Sequence, residues 1–406
     1  MSRNIINIGP QHPAVYGVLR LVIETDGEFV VYVNPEIGYL HRGTEKLCEY
    51  NEYYKITPFF DRFDYVGLLI CEHSYVLAIE TLLEELHSNT SVSVNNSVIS
   101  TRYIKTQLIR IIYNNLAHIA SHLLALTTSA MDIGALTPFL FAFEEREEIS
   151  SILEHISGAR MHTAFYSING INFTFTYKDL ILIKNFLFNF NTTLVQMFEM
   201  LSYSKIWFQR FKDIGVVKYH GGISHGVTGP LARSTGTYLD LRITQPYETY
   251  KYIPIPIVTS CNGDNLDRFF IRIEEIMVCT QYLEYLIKLY ERNFKYLNQN
   301  YSRNTTFTTY SDESSMEELI RDFKSNMEGY LITNNKTYLN IESPRGYFGT
   351  HCVSSKRSIN RPWRLKVRSP GFYNLSTLNW VCTNYNISDL LSYLSTLDLI
   401  LGETDR

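Results

Sequence analysis

The sequence predicts an α+β protein, mainly α, in which a small N-terminal β-rich domain (1–64) and a mixed C-terminal region (331–406) flank a central bundle of long helices (65–330). Three observations lead there: β-branched runs with turn signals early in the chain, helical spacing of apolar residues from Tyr65 onward, and a return to short, turn-bounded runs after Glu342. With 406 residues, 45% of them hydrophobic and 19% charged, the chain can bury a large core.

In chain order, Gly9 to Gly17, GPQHPAVYG, carries two prolines between flanking glycines and reads as an ordered loop. Val18 to Thr25 and Phe29 to Val33 follow as strands, joined at Asp26-Gly27, a strong hairpin signal. Long helices are expected at Tyr65–His87, Tyr103–Ala130, Pro138–Ser157, Tyr177–Phe211 and Leu266–Asn298, which together suggest a bundle. Ile111 to Met131 has no charged residue and is long enough to cross a bilayer, but Asn114, Asn115, His118, Ser121, His122, Thr127 and Thr128 are too many polar groups for lipid. A bundle centre satisfies them better. Residues 299–318 are polar and read as a surface connection. In the tail, SPRG and SPGF are turns, Trp363–Val367 a short strand and Ile387–Leu401 a closing helix.

Composition excludes several functions. A net charge of -4 gives no reason to expect a nucleic-acid partner. The opening MSRNIINIGPQHP has neither a secretory apolar core nor an Arg-rich import pattern, which fits a bacterial chain or one made inside an organelle. The 30 tyrosines, 23 phenylalanines and asparagine-rich runs favour AT-rich codons and lean toward an organelle genome. Cys48, Cys71, Cys261, Cys279, Cys352 and Cys382 form no CxxC pair, so a zinc site, a cluster site or a disulfide framework is not expected, and each reads as a small buried hydrophobe. There is no GxGxxG, phosphate loop, HExxH or GxSxG. His118 and His122, one helical turn apart, could ligate a metal, but with no third ligand nearby they read as core hydrogen-bonding groups.

What remains is a set of polar groups in turns at the helix edges: His12 and Tyr16 in the proline loop, His41 and Arg42 in LHRGTEK, Asp61 to Tyr65 in DRFDY, and Asp132 in MDIGALTP. Loops beside a rigid bundle are where binding residues concentrate. Read alone, Arg42 pairs with Glu45 or another carboxylate, Asp132 ends a helix before Gly134, and Arg146 in FEEREE is as suited to locking helices as to touching a ligand.

These stretches, with TGPLARSTG, YLDLR, DRFFIRIEE, ESPRGYFG and LDLILGETDR, run in order from Gly9 to Arg406. Together they resemble the family of the quinone-site core subunit of respiratory complex I, the NADH-quinone oxidoreductase, called subunit seven when organelle-encoded and related to the large subunit of nickel-iron hydrogenases. The resemblance implies a hydrogenase-like bundle without the metal. A hydrogenase needs two CxxC pairs, and here Cys71 stands alone and no cysteine follows Cys382.

The family further implies a core subunit of the proton-pumping NADH:ubiquinone oxidoreductase, with no cofactor of its own and ubiquinone as substrate. The adjacent 4Fe-4S cluster belongs to a partner subunit, NADH and FMN bind elsewhere in the complex, and a membrane-arm subunit lies at the quinone channel entrance. The implied location is the peripheral arm on the matrix side of the mitochondrial inner membrane, or the cytoplasmic membrane face of a bacterium. Tyr65 is the implied head-group ligand, its phenol donating a hydrogen bond while its ring adds apolar contact. Asp132 is the implied carboxylate partner of a loop histidine. That histidine's position is Tyr16 here, while His12 keeps its place in the motif, so a phenol titrating near about 10 stands where an imidazole near about 6.5 is usual. Arg42 is implied to lie near the partner's cluster. The alternative is a scaffold subunit of the same complex with a degenerate quinone site.

Overall fold

The computed structural model describes residues 3–10, 17–67, 69–89, 96–202, 204–294, 335–355 and 360–406, with isolated positions between 316 and 332. The fold is α+β and mainly helical, as the sequence predicts. Strands β1 (Asn4–Ile8), β2 (Arg20–Asp26) and β3 (Phe29–Glu36) form an antiparallel sheet in that order. The β2–β3 hairpin turns at Gly27, whose φ of 65° is a conformation glycine adopts without strain. Leu21, Ile23 and Thr25 alternate inward along β2, the period of a strand with one buried face. The sequence pattern does not distinguish β1 as a strand.

Helices α1 (Thr44–Tyr50) and α2 (Tyr53–Asp61) lead into α3 (Ile70–Asn89), α4 (Asn96–Asp132) and α5 (Leu136–Ser157). A small hairpin, β4 (Tyr166–Ser167) and β5 (Gly170–Ile171), precedes α6 (Tyr177–Ser202). The expected single helix over Tyr177–Phe211 is two. A second, α7 (Lys205–Phe211), begins where the Ser204 hydroxyl accepts the Trp207 amide at 3.4 Å and caps a new first turn. After the short helices α8 (Tyr219–Ser224), α9 (Pro230–Arg233) and α10 (Leu241–Thr244), α11 (Asn265–Phe294) closes the bundle against α4.

Strands β6 (Lys336–Ser343), β7 (Gly346–Ser354) and β8 (Pro362–Arg368) form a second antiparallel meander. The tail continues through Pro370–Leu375, Leu378–Val381, Ile387–Leu397 and Leu401–Asp405. The expected helix over Ile387–Leu401 stops at Leu397, because Asp398 turns into the left-handed region at φ 51° and gives its carboxylate to Arg345.

One hydrophobic core joins the bundle to the second meander, and another packs the first sheet against tail residues such as Leu378, Leu390, Leu394 and Leu397. No helix among the described residues is long and apolar enough to cross a membrane. The polar groups of α4 are accommodated inside the bundle. Asn114 sits 2.6 Å from His73 Nδ1 and accepts the Tyr166 hydroxyl at 2.7 Å, and Asn115 donates to the Ile111 carbonyl at 2.7 Å. Five cysteines are buried, but Cys261 is exposed, because the turn that carries it lies outside both cores. Most of the expected connection over 299–318 lies outside the described residues.

Candidate functional site

The Asp61–Tyr65 turn after α2 is fixed by its own chemistry. Asp64 Oδ1 accepts the amides of Val66 and Gly67, each at 2.9 Å, which delays the start of α3 to Ile70 instead of the expected Tyr65. A Cβ at Gly67 would meet Asp64 Oδ2 at 2.8 Å, so only glycine lets the chain close over the carboxylate. From the β6–β7 turn, Arg345 Nη1 donates to Asp64 Oδ2 at 2.7 Å, and its Nε pairs with Asp398 Oδ2 at 3.2 Å and donates to the Asp398 carbonyl at 3.0 Å. Neither side chain of the Asp64–Arg345 pair is exposed. On this rigid, charge-compensated mount stands Tyr65, 40% exposed, with its phenol held above its ordinary pKa first by partial burial.

The C-terminal tail packs into the same edge. Asp405 Oδ2 accepts the Leu40 amide at 2.7 Å, and the Asp405 carbonyl lies 2.8 Å from His41 Nδ1. Gly17, with φ of 67°, abuts Leu401, so the chain enters the first sheet beside this tail. His12 and Tyr16 themselves lie outside the described residues.

Arg42 does not pair with Glu45. Its Nη2 donates to the Arg62 carbonyl at 2.9 Å, while Glu45 accepts the Val367 amide at 2.9 Å and faces Arg406. Glu45 is already engaged by the second meander, which leaves the guanidinium of Arg42 on the surface. Arg42 and Arg62 make a basic corner there, and His162 stands beside them. Its Nδ1 lies 3.8 Å from Asp61 Oδ2, and burial, then Arg62, then Arg42, hold its imidazole below the ordinary value against the opposing pull of Asp61. Asp61 itself is pushed up to about 7, chiefly by burial. Asp132 is the last residue of α4 and is exposed, and Gly134 follows at φ 98°, so it does terminate the helix. Arg146 is partly buried behind the mount, where burial lowers its pKa and where it feels both Arg345 and Asp64.

Sequence reading missed Arg345, Asp398 and Glu403. Each lies within a quoted motif, but their meeting with Asp64 depends on tertiary closure across some 280 residues, since the Arg345–Asp64 bond spans 281 positions. It also missed the partner of the α4 histidines. Glu275 on α11 lies 2.8 Å from His122 Nε2 and 3.5 Å from His118 Nε2, so a third potential ligand does exist. Arg233 pairs with the same carboxylate at 2.8 Å and supplies the positive charge a metal ion would bring. Burial holds both imidazoles neutral, His122 down to about 3. The second group of potential ligands, Asp64, Cys71 and Glu403, likewise has Arg345 against it, and burial pushes the Cys71 thiol far from the thiolate a metal requires.

The chain is similar to proteins of known assignment. A family model described as the respiratory-chain NADH dehydrogenase 49 Kd subunit matches residues 132–406. The sequence is 40% identical to the NADH-ubiquinone oxidoreductase 49 kDa subunit of Acanthamoeba castellanii, over 99% of this chain and 95% of that one. It is 38% identical to the protein of the same description in Reclinomonas americana, over 99% and 96% of the two chains. Identity is 39% to the NADH dehydrogenase (ubiquinone) iron-sulfur protein 2 of Arabidopsis thaliana, over 99% and 97%.

Proposed function

We infer the role of this chain from its membership: it belongs to the respiratory-chain NADH dehydrogenase 49 kDa subunit family, and we assign the edge around Tyr65 to quinone. As a subunit of an NADH-quinone oxidoreductase its partners are the other subunits of that complex. Tyr65 donates its phenolic proton in a hydrogen bond to a quinone carbonyl, and its ring covers one side of the head group. The family resemblance is what assigns Tyr16, His12 and Asp132 to the same quinone site, with the Asp132 carboxylate as the acceptor proposed for the Tyr16 phenol.

The observation that carries the reading is the pairing of opposites at one turn. Tyr65 is 40% exposed, whereas Asp64 and Arg345 beneath it are fully buried and bonded at 2.7 Å. A ligand-binding side chain on a preorganised support holds its geometry without ordering cost. The guanidinium groups of Arg42 and Arg62 suit a partner that grows more negative on reduction, which supports placing the partner subunit's 4Fe-4S cluster there. That cluster supplies the electrons. This chain supplies position, hydrogen bonds and electrostatics. Contact with the membrane, and with proton translocation, runs through the membrane-arm partner, on the matrix side of the mitochondrial inner membrane if the chain is organellar.

A scaffold with a degenerate site would have no use for an exposed phenol on such a mount. The test is the NADH:quinone activity of the purified native assembly. Quinone reduction sensitive to substitution at Tyr65 supports the assignment, and full activity in assemblies lacking any functional side chain at this edge contradicts it.

A further inference from the structure

Glu403, in the last helix of the tail, is completely buried, and no side-chain donor reaches its carboxylate oxygens, which have the Gly371 amide beside them. It faces Asp64 and Tyr65 from the turn after α2, Cys71 from α3, Arg345 from the β6–β7 turn, Asp398 from the tail loop and the Gly371 amide from Pro370–Leu375. Ligand atoms of Asp64, Cys71 and Glu403 all lie within 4.8 Å of one another.

Three carboxyl groups thus share one adjacent guanidinium, Arg345. Arg146 stands behind that pair and interacts with Asp64 and Arg345, but adds no bond to Glu403. Asp64 accepts three donors, which suits its ionised form, and Asp398 is paired with Arg345. Glu403 accepts no side-chain donor and has only the Gly371 amide as a hydrogen-bond donor beside it. An unsolvated carboxylate between two others is the arrangement that keeps a proton. Burial, then the Asp64 charge, push Glu403 up to about 8.

Resting on the quinone assignment above, we propose that Glu403 is the buried acid that restores the Tyr65 proton during quinone reduction. Reduction adds two electrons, delivered by the complex, and two protons to the quinone, converting each C=O to C–O–H. Tyr65 gives its phenolic proton to one quinone oxygen and is left as phenolate. The Glu403 carboxyl O–H then breaks, its proton passes through water to re-form the Tyr65 O–H, and Glu403 is left as carboxylate beside Arg345. Solvent returns the proton to Glu403, and the second quinone oxygen takes its proton by a separate route. Glu403 acts through Tyr65, so it is a proton-supplying and not a head-group residue.

The test uses the intact complex carrying Glu403→Gln, which keeps the shape and removes the acid. The expected result is turnover lowered about tenfold or more near neutral pH with little change in quinone KM, and loss of the alkaline limb expected of the native complex as pH rises through about 8. Glu403→Asp should recover part of the rate with a displaced alkaline limb. Native turnover and an unchanged limb in Glu403→Gln overturn the proposal. Should that variant fail to assemble, redox-difference infrared spectroscopy of the native complex decides. A protonated-carboxyl signal that changes on quinone reduction supports the proposal, and its absence overturns it. If Tyr65→Phe is impaired while Glu403→Gln is native, this inference alone fails; if both are native, the quinone assignment fails too.

Discussion

Arg345 donates to Asp64 at 2.7 Å with both side chains withdrawn completely from solvent, which ties the second meander to the turn that presents Tyr65. Breaking a buried ion pair from one side leaves the other charge uncompensated, at a cost of about 3 to 5 kcal/mol. Arg345→Met should therefore lower the amount of assembled complex and its thermal midpoint. Blue-native gels and thermal inactivation of the membranes check this, and native levels of a complex equally resistant to heat would show the pair to be dispensable.

Gly67 tests the mount with a smaller change. A methyl group there would meet Asp64 Oδ2 at 2.8 Å and push the carboxylate off its two amides. Gly67→Ala should cost about 1 to 3 kcal/mol, as overpacking does, and should raise quinone KM more than it lowers assembly. Steady-state kinetics on quantified complex separates the two effects.

The hairpin, the long helices and the bundle were legible because they are written in local period and turn chemistry. Asp26-Gly27 and the apolar spacing of α4 need no distant partner to be recognised. Where the expectation failed, a single side chain had another commitment: Ser204 capping a new helix, Asp398 turning out of one to meet Arg345, Glu45 engaged by β8 and so lost to Arg42. Tyr65 and Asp64 could be singled out from DRFDY. Arg345, Glu403 and Glu275 could not, because a buried charge in the sequence looks the same as a solvated one until its partner is in place.

Charge at the basic corner gives a redox prediction. Arg42 keeps its guanidinium on the surface, bonded to the Arg62 carbonyl at 2.9 Å. If it faces the partner's cluster, removing its charge makes adding an electron there harder. Arg42→Met should lower the midpoint potential of that cluster, followed by spectroscopic redox titration, while Arg42→Lys should lower it less. An unchanged potential in both would move Arg42 away from the cluster.

Opposite pH windows follow from His122 and Glu403. His122 is held neutral down to about 3, whereas the unfolded chain binds its proton near about 6.5, so this stabilisation is present above about 6.5 and is lost progressively as pH falls toward about 3. Glu403 holds its proton up to about 8 against an ordinary 4.5, so its contribution is present below about 4.5 and is lost as pH rises to about 8. His122→Asn should flatten the acid side of complex stability and Glu403→Gln the alkaline side. Thermal midpoints across pH test both, and parallel profiles for native and variant complexes would contradict the assignment of either group.

The quinone dependence of Tyr65→Phe tests the central claim most directly. Loss of one hydrogen bond is worth about 0.5 to 1.5 kcal/mol, up to about a tenfold change in apparent affinity. With short-chain quinones the variant should show a raised KM or lowered kcat/KM of that size, while assembly and NADH-driven reduction of the partner's cluster stay native. Unchanged quinone kinetics in a fully assembled Tyr65→Phe complex would remove Tyr65 from the head-group site and contradict the account.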